Sequence, residues 1–207
     1  NTQRFQESEA MHKSALAIRE RLAKANPQAY EPALADSYNN LAILYSDTQR
    51  FHESEAMCKS ALTIYERLAE EYPLGYGPAL AQSYSILAIL YYETRRFAES
   101  EEMHKSALAI QGRLAEKYSY GSDLANSYNS LAVLYSDTLR YQESEAMYKS
   151  AIAIRERLVK ANPLAYEPAL AVSYNNLAIL YRDTHRFAES EEMANAAAAI
   201  RERLGIE

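Results

Sequence analysis

With 207 residues, 48% of them hydrophobic and 24% charged, the chain has the makeup of an ordinary soluble globular protein of one or two domains. A net charge of −6 argues against nucleic acid as its partner, and no apolar run approaches the length of a membrane span. The single cysteine, Cys58, excludes an internal disulfide and points to a reducing, cytoplasmic setting.

The chain opens at Asn1 inside a repeating pattern, with neither Met nor a charged-then-apolar leader, so it reads as a piece of a longer protein. The string SYNNLAILYSDTQRF at Ser37–Phe51 returns as SYNNLAILYRDTHRF at Ser173–Phe187, with looser copies between. Anchor aromatics Phe5, Phe51, Phe97, Tyr141 and Phe187 recur at intervals of 46, 46, 44 and 46 residues. A fixed period of this size is the signature of stacked units.

Residues 1–26 read as a leading second helix, followed by four helix pairs over 32–72, 78–118, 122–161 and 168–205, forming one solenoid. In the first pair, Leu34, Tyr38, Leu41 and Tyr45 step by 4, 3 and 4 and so share one helical face. Phe51, Ser54, Cys58, Ala61 and Leu68 do the same on the second helix, with Met57 and Ile64 widening the stripe. Pro32, Pro78 and Pro168 suit the first turn of a helix, whereas Pro27, Pro73 and Pro163 stop the helix before. Glu9/Lys13, Glu55/Lys59, Glu101/Lys105 and Glu145/Lys149 are favourable i,i+4 pairs that mark the solvent face of the second helix. The short interval before Tyr141 places a two-residue deletion in the connector YSYGSDLA, leaving the flanking helices in register. Strand signals are absent, so the fold class is all-α. Ala42, Ala88, Ala132 and Ala178 on first helices, and Ala15, Ala61, Ala107, Ala151 and Ala197 on second helices, mark close approaches. One pair cannot bury its own apolar stripe, so the pairs are expected to stack into a continuous core.

The run YNNLAILY…RFHESEAMCKSAL resembles the tetratricopeptide repeat (TPR), in the lengthened variety of kinesin light chains and bacterial regulatory proteins. Tyr38, Leu41-Ala42, Tyr45, Ser54, Cys58 and Ala61 carry the likeness, which recurs in every unit and implies a right-handed superhelix of stacked helix-turn-helix units. Three departures stand out. Gln49, Arg95, Leu139 and His185 occupy the turn where the family has Gly, so a left-handed residue is not expected there. Ser8, Ser54, Ser100, Ser144 and Ser190 replace the usual Ala, and the next aromatic varies through His12, Cys58, His104, Tyr148 and Ala194.

The chemistry-bearing residue types do not assemble into a site. The repeated Ser lacks a Gly-x-Ser-x-Gly setting and a base, and is expected to bond back to its own helix. No two of His12, His52, His104 and His185 share a face at metal-binding spacing, and His12 and His104 are expected to pack. The paired acids opening each second helix suit its dipole, and no Gly-rich phosphate loop exists. Neither an enzyme nor a cofactor or metal site is expected.

The resemblance instead implies a concave groove lined by first helices. Its rows would be Asp36, Gln82, Asn126 and Val172; then Asn39, Ser85, Asn129 and Asn175; then Ile43, Ile89, Val133 and Ile179. The last two are Ser46, Tyr92, Ser136 and Arg182, and Asp47, Glu93, Asp137 and Asp183. Asn39, Asn129 and Asn175 would hold a peptide backbone through their paired donor and acceptor, and Asn40 and Asn176 would do so or bond between neighbouring helices. The acidic row favours a basic or neutral protein segment. Family members that clamp acidic C-terminal tails carry Lys where Asn39 stands and Asn where Ile43 stands, so such a ligand is not expected. The alternative is a structural spacer or self-assembly segment, with Tyr30, Tyr76 and Tyr166 exposed in the connectors for self-contact.

Overall fold

Three of the four first helices start five residues earlier than the proline pattern predicts, at Pro27, Pro73 and Pro163. The computed structural model describes residues 2–115 and 121–205, with side chains from Phe5 onward, and these residues form nine α-helices and no strand. Second helices are α1 (Thr2–Ala25), α3 (Phe51–Glu71), α5 (Phe97–Ala115), α7 (Tyr141–Ala161) and α9 (Phe187–Leu204). First helices are α2 (Pro27–Asp47), α4 (Pro73–Glu93), α6 (Gly121–Asp137) and α8 (Pro163–Asp183). They pack as two compact units, Asn1–Ile110 and Gln111–Glu207. No helix among the described residues is long and apolar enough to cross a membrane.

Pro27 and Pro163 occupy the first helical turn, where a missing N–H is harmless, and Asn26 and Asn162 cap it by accepting from Ala29 N and Ala165 N at 3.3 Å. The prolines expected to open these helices, Pro32, Pro78 and Pro168, lie inside them. The connector read from the sequence is therefore helix. Of the tyrosines placed there, Tyr30 is exposed, but Tyr76 and Tyr166 are half-buried, and Tyr76 packs against the core. α6, at 17 residues, is one turn shorter than the 21-residue α2, α4 and α8. The deletion assigned to that connector falls partly on residues 116–120, outside the described residues.

Within a pair, the small residues close the interface as the stripe requires: Ala42, Ala61, Ala88, Ala107, Ala132 and Ala151 are all fully buried. The repeated Ser does not bond back to its own helix. Ser54, Ser100, Ser144 and Ser190 each donate across the pair, to the carbonyls of Ala42, Ala88, Ala132 and Ala178 at 2.7–2.8 Å. Alanine at that place would pack as closely but would lose a buried bond worth about 1 kcal/mol.

The turn between the helices of a pair is left-handed after all, with φ of 60–62° at Gln49, Arg95, Leu139 and His185. Two backbone bonds hold it: Arg50 N donates to Tyr45 O at 2.7 Å and Gln49 N to Ser46 O at 2.8 Å, the Schellman pattern. The preceding Thr adds a third, its hydroxyl donating to Leu44 O at 2.8 Å. The apolar contact that usually closes this motif is replaced by Arg50, Arg96, Arg140 and Arg186, stacked 4.0–4.2 Å over Tyr45, Tyr91, Tyr135 and Tyr181. These bonds outweigh a left-handed penalty of about 1 kcal/mol per side chain. Leu139→Gly removes that penalty at an exposed side chain. It is expected to stabilise by about 1 kcal/mol, raising Tm by roughly 3 °C in a thermal melt.

Arg50, Arg96 and Arg186 also join consecutive repeats. Arg96 reaches back from the turn to Glu55 at 2.7 Å, where Lys59 (2.7 Å) and the Tyr91 hydroxyl (3.0 Å) also converge. Arg186, Lys149 and Tyr181 repeat this around Glu145 at 2.5, 2.6 and 3.0 Å. The glutamates of the i,i+4 pairs are therefore not solvent decoration: Glu55 is 17% exposed against 61% for Lys59. A second inter-repeat link runs from the Tyr38, Tyr84 and Tyr174 hydroxyls to Glu20, Glu66 and Glu156 at 3.0, 2.7 and 2.5 Å.

Candidate functional site

With their apolar stripes committed to second helices, the first helices keep one exposed stripe each. On α2 it is Asp36, Asn40, Ile43 and Asp47, all exposed, at steps of 4, 3 and 4. On α4 the register gives Gln82, half-buried Ile86, Ile89 and Glu93. In the second unit it gives Asn126, half-buried Ser130 and Val133, and Asp137 on α6, and Val172, half-buried Asn176, Ile179 and Asp183 on α8. Ile43 and Ile89 are 43% and 48% exposed, and Val172 and Ile179 also face solvent.

Most expected groove residues lie on this stripe: Ile43, Asp47, Gln82, Ile89, Asn126, Val133, Asp137, Ile179 and Asp183. The row headed by Asn39 does not lie on it. Asn39 is 6% exposed, and its amide donates to Ser83 Oγ on α4 at 2.8 Å, while its Oδ1 is buried without a partner. Positions 39 and 46 sit roughly 70–90° round the helix from the stripe's centre and turn toward the neighbouring first helix. Ser46 accordingly donates to Glu93 Oε2 at 2.6 Å. Ser85 is half-buried and bonds back to Ala81 O at 3.0 Å. Asn129 and Asn176, both half-buried, bond each other at 3.2 Å, and Asn175 is half-buried beside them. Tyr92 is half-buried against Phe97, with ring centroids 6.0 Å apart, whereas Arg182 is exposed, 3.7 Å from Asp183.

Sequence reasoning missed the side chains that hold the stripe in place from beneath. The Tyr65 hydroxyl, on α3, donates to Asp36 and to Pro32 O (3.1 Å). In the second unit, Arg155 is buried on α7 and donates to Asn126 Oδ1 and Ala169 O at 2.7 and 2.9 Å, and to Ser173. Burial raises the Tyr65 hydroxyl's pKa, keeping it a donor. A signal existed: Arg19, Tyr65, Gln111 and Arg155 are long polar side chains recurring at one register of an otherwise apolar face.

The charge along the stripe is uneven. Each first helix ends on its acid, Asp47, Glu93, Asp137 or Asp183, at the negative end of the helix dipole. A carboxylate there is repelled by about 0.3–1 kcal/mol, and α2, α4 and α6 carry no basic residue in the last turn to offset it. The stripe offers aliphatic surface, side-chain amides and negative charge at the helix ends.

Tetratricopeptide repeat family models match residues 33–113 and, separately, 124–163 and 170–204. No curated protein matches the sequence. Among solved structures, the nearly identical kinesin-light-chain-like TPR repeats from Podosopora anserina align with TM-score 0.66 at 20% identity, over 98% of this chain and 92% of that one. BtubC (BKLC) from P. vanneervenii aligns with TM-score 0.59 at 22% identity, over 97% and 92%. Aspartyl phosphate phosphatase F from Bacillus subtilis aligns with TM-score 0.71 at 16% identity, over 94% of this chain but 50% of its own. At these identities the likeness is one of fold, an all-α repeat superhelix.

Proposed function

Because this chain belongs to the tetratricopeptide repeat family, we propose that it is a protein-interaction module that takes a segment of a partner along the exposed stripe of its first helices. The observation that carries this reading is the pair Ile43 and Ile89. Two aliphatic side chains stand nearly half exposed at the same register, although beyond the first turns of α2 and α4, where Tyr30 and Leu74 are exposed, every other apolar row of these helices is buried or half-buried. They form an apolar floor, edged by the Asn40 amide on one side and by Asp47 and Glu93 on the other. The peptide-holding role expected of Asn39 passes to Asn40, since the Asn39 amide donates to Ser83 and its side chain is closed to solvent. In the second unit, Val133, Ile179, Asn126, Asp137 and Asp183 form the corresponding floor and edge.

The acids bias the partner toward a basic or neutral segment: Lys or Arg set beside them offsets the repulsion from the helix ends. No nucleic acid, cofactor or metal enters this reading, and the chain itself acts as a scaffold, not an enzyme. The test is titration of a peptide library, basic and acidic, into wild type, Ile43→Glu/Ile89→Glu and Asp47→Lys/Glu93→Lys. Basic peptides with aliphatic residues are expected to bind, to weaken at least tenfold on the first double variant, and to lose their advantage over acidic ones on the second. Unchanged binding by both variants contradicts the reading.

A further inference from the structure

We infer that the tyrosine-walled cleft between the first turns of α2 and α4 and the last turn of α3 is a site for an organic cation, an alkylammonium or guanidinium group. It lies at the end of the helix pairs opposite the left-handed turns and shares no residue with the first-helix stripe.

The cleft has a volume of about 930 Å³, the size that takes a small organic ligand. Tyr72 and Tyr76 form its aromatic corner, edge to face, with ring centroids 6.3 Å apart and 73° between the ring planes. Tyr76 is half-buried and fixed against the core, whereas Tyr72 is 46% exposed. Gly75 adjoins Tyr72, and its missing side chain leaves that part of the cleft open. Across from the corner stand Pro27 and Glu31, at the start of α2.

The corner is a departure from the chain's own rule for this junction. Lys24–Tyr30 reads KANPQAY and Lys160–Tyr166 reads KANPLAY, one copy in each unit. In both, Asn caps the new helix, and Lys offsets the negative end of the helix before it. Glu70–Tyr76 reads EEYPLGY instead. Each of the four replacements gives up stability. Tyr72 makes no side-chain cap bond, and Gly75 stands inside a helix where the other copies have Ala29 and Ala165. Glu70 and Glu71 load negative charge onto the end of α3, which has no basic residue in its last turn. The fold does not require the glycine: a Cβ added at Gly75 would lie 3.7 Å from Tyr72 Cβ, an ordinary contact. Local rules broken together, with no return in packing, mark a functional place.

Charge decides what fits. Arg67, the basic residue of the lining, is already paired with Glu31. Among the described residues no cation pairs with Glu70 or Glu71, so the cleft is left negative. Glu71 bonds the Tyr72 hydroxyl and raises its pKa, which keeps the ring a neutral phenol. Two ring faces attract a cation through their quadrupoles, and the carboxylate beside them adds charge. An anion is repelled by both.

The experiment titrates n-butylguanidinium, n-butylammonium and the capped tripeptides Gly-Arg-Gly, Gly-Lys-Gly and Gly-Glu-Gly into the whole chain, following amide signals of α3 and α4 by NMR. Saturable binding of the cations is expected, with a Kd of about 5 mM or tighter, and none of Gly-Glu-Gly. Tighter binding of the basic tripeptides supports the site as one for a partner's side chain; equal binding of the free cations supports a small-molecule amine. Glu70→Lys/Glu71→Ala/Tyr72→Asn/Gly75→Ala rewrites the junction as KANPLAY, a string this chain already folds. That variant is expected to melt at or above wild type and to bind at least tenfold more weakly. Gly75→Ala alone should raise Tm while weakening binding severalfold, a split that a purely structural glycine does not give. Ile43→Glu/Ile89→Glu should leave this binding unchanged, so its failure is distinct from failure of the groove. A weaker Kd for every cation, equal binding of Gly-Glu-Gly, or undiminished affinity in the KANPLAY variant overturns the inference.

Discussion

Alanine in place of Arg96 is expected to destabilise the protein by about 2 kcal/mol, roughly 6 °C in Tm for a chain of this size. Isolated surface ion pairs contribute little, but this guanidinium has three attachments at once. It stacks 4.0 Å over Tyr91, donates from Nε to Glu99 at 2.7 Å, and donates to Glu55 at 2.7 Å. Glu55 is the member that matters, because it is mostly shielded from water and loses one of three donors. Arg96→Lys keeps the charge but not the planar fork or the ring stack, and is expected to lose about half as much. A double-mutant cycle with Glu55→Gln should return a coupling near 1 kcal/mol. Arg186→Ala, acting on Glu145 in the second unit, is expected to match it. If Arg96→Ala melts within about 0.5 kcal/mol of wild type, the range of an ordinary surface change, the inter-repeat link is ornamental.

That link marks where the sequence stopped being readable. Helix faces, small contact positions and the period follow from spacings of three and four, so pairing and stacking were legible from Leu34, Tyr38, Leu41 and Tyr45 alone. The turn was not, because absence of Gly argued against a left-handed residue. The tighter signal was the recurring Thr-x-Arg of Thr48–Arg50, Thr94–Arg96, Thr138–Arg140 and Thr184–Arg186. Thr bonds the last carbonyls and Arg stacks on Tyr, a combination that holds the left-handed residue without Gly. The glutamates were read only along their own helix, since i,i+4 spacing reveals Lys59 but not an Arg 41 residues away.

The exposed stripe proposed as the site was legible to within one residue of rotation. Asp36, Ile43 and Asp47 fix a stripe, and both 39 and 40 fall near it by spacing alone. What decides between them is Ser83, on the next first helix, which takes the Asn39 amide and draws that side chain into the interface. Long-range partners of this kind leave no local trace. The burial of Arg155 beneath Asn126 is a second case, visible only once α7 lies under α6.

The largest expected effect is acid lability in two separable stages. His104 is buried, its Nδ1 has no hydrogen-bond partner, and burial pulls its pKa from 6.5 down to about 4. The unfolded chain therefore binds a proton that the folded chain refuses. Stability attributable to His104 is complete above pH 6.5 and drains as pH falls toward 4, on the order of 3 kcal/mol in all. The second stage begins near pH 4.5. Burial tends to raise Glu55, but bonds from Arg96, Lys59 and Tyr91 prevail and hold it at about 2; at Glu145, Arg186 leads and burial opposes, with the same result. Their folded pKa values lie below the unfolded ones, so their contribution is present above pH 4.5 and is lost down to pH 2. His104→Leu, which fills the same core position without a titrating group, is expected to abolish the first stage and leave the second. Glu55→Gln/Glu145→Gln should do the reverse, at a lower starting stability. Urea midpoints measured from pH 8 to pH 3 on the three proteins separate the stages. A wild-type midpoint that stays level from pH 6.5 to 5 contradicts a neutral, buried imidazole in the core.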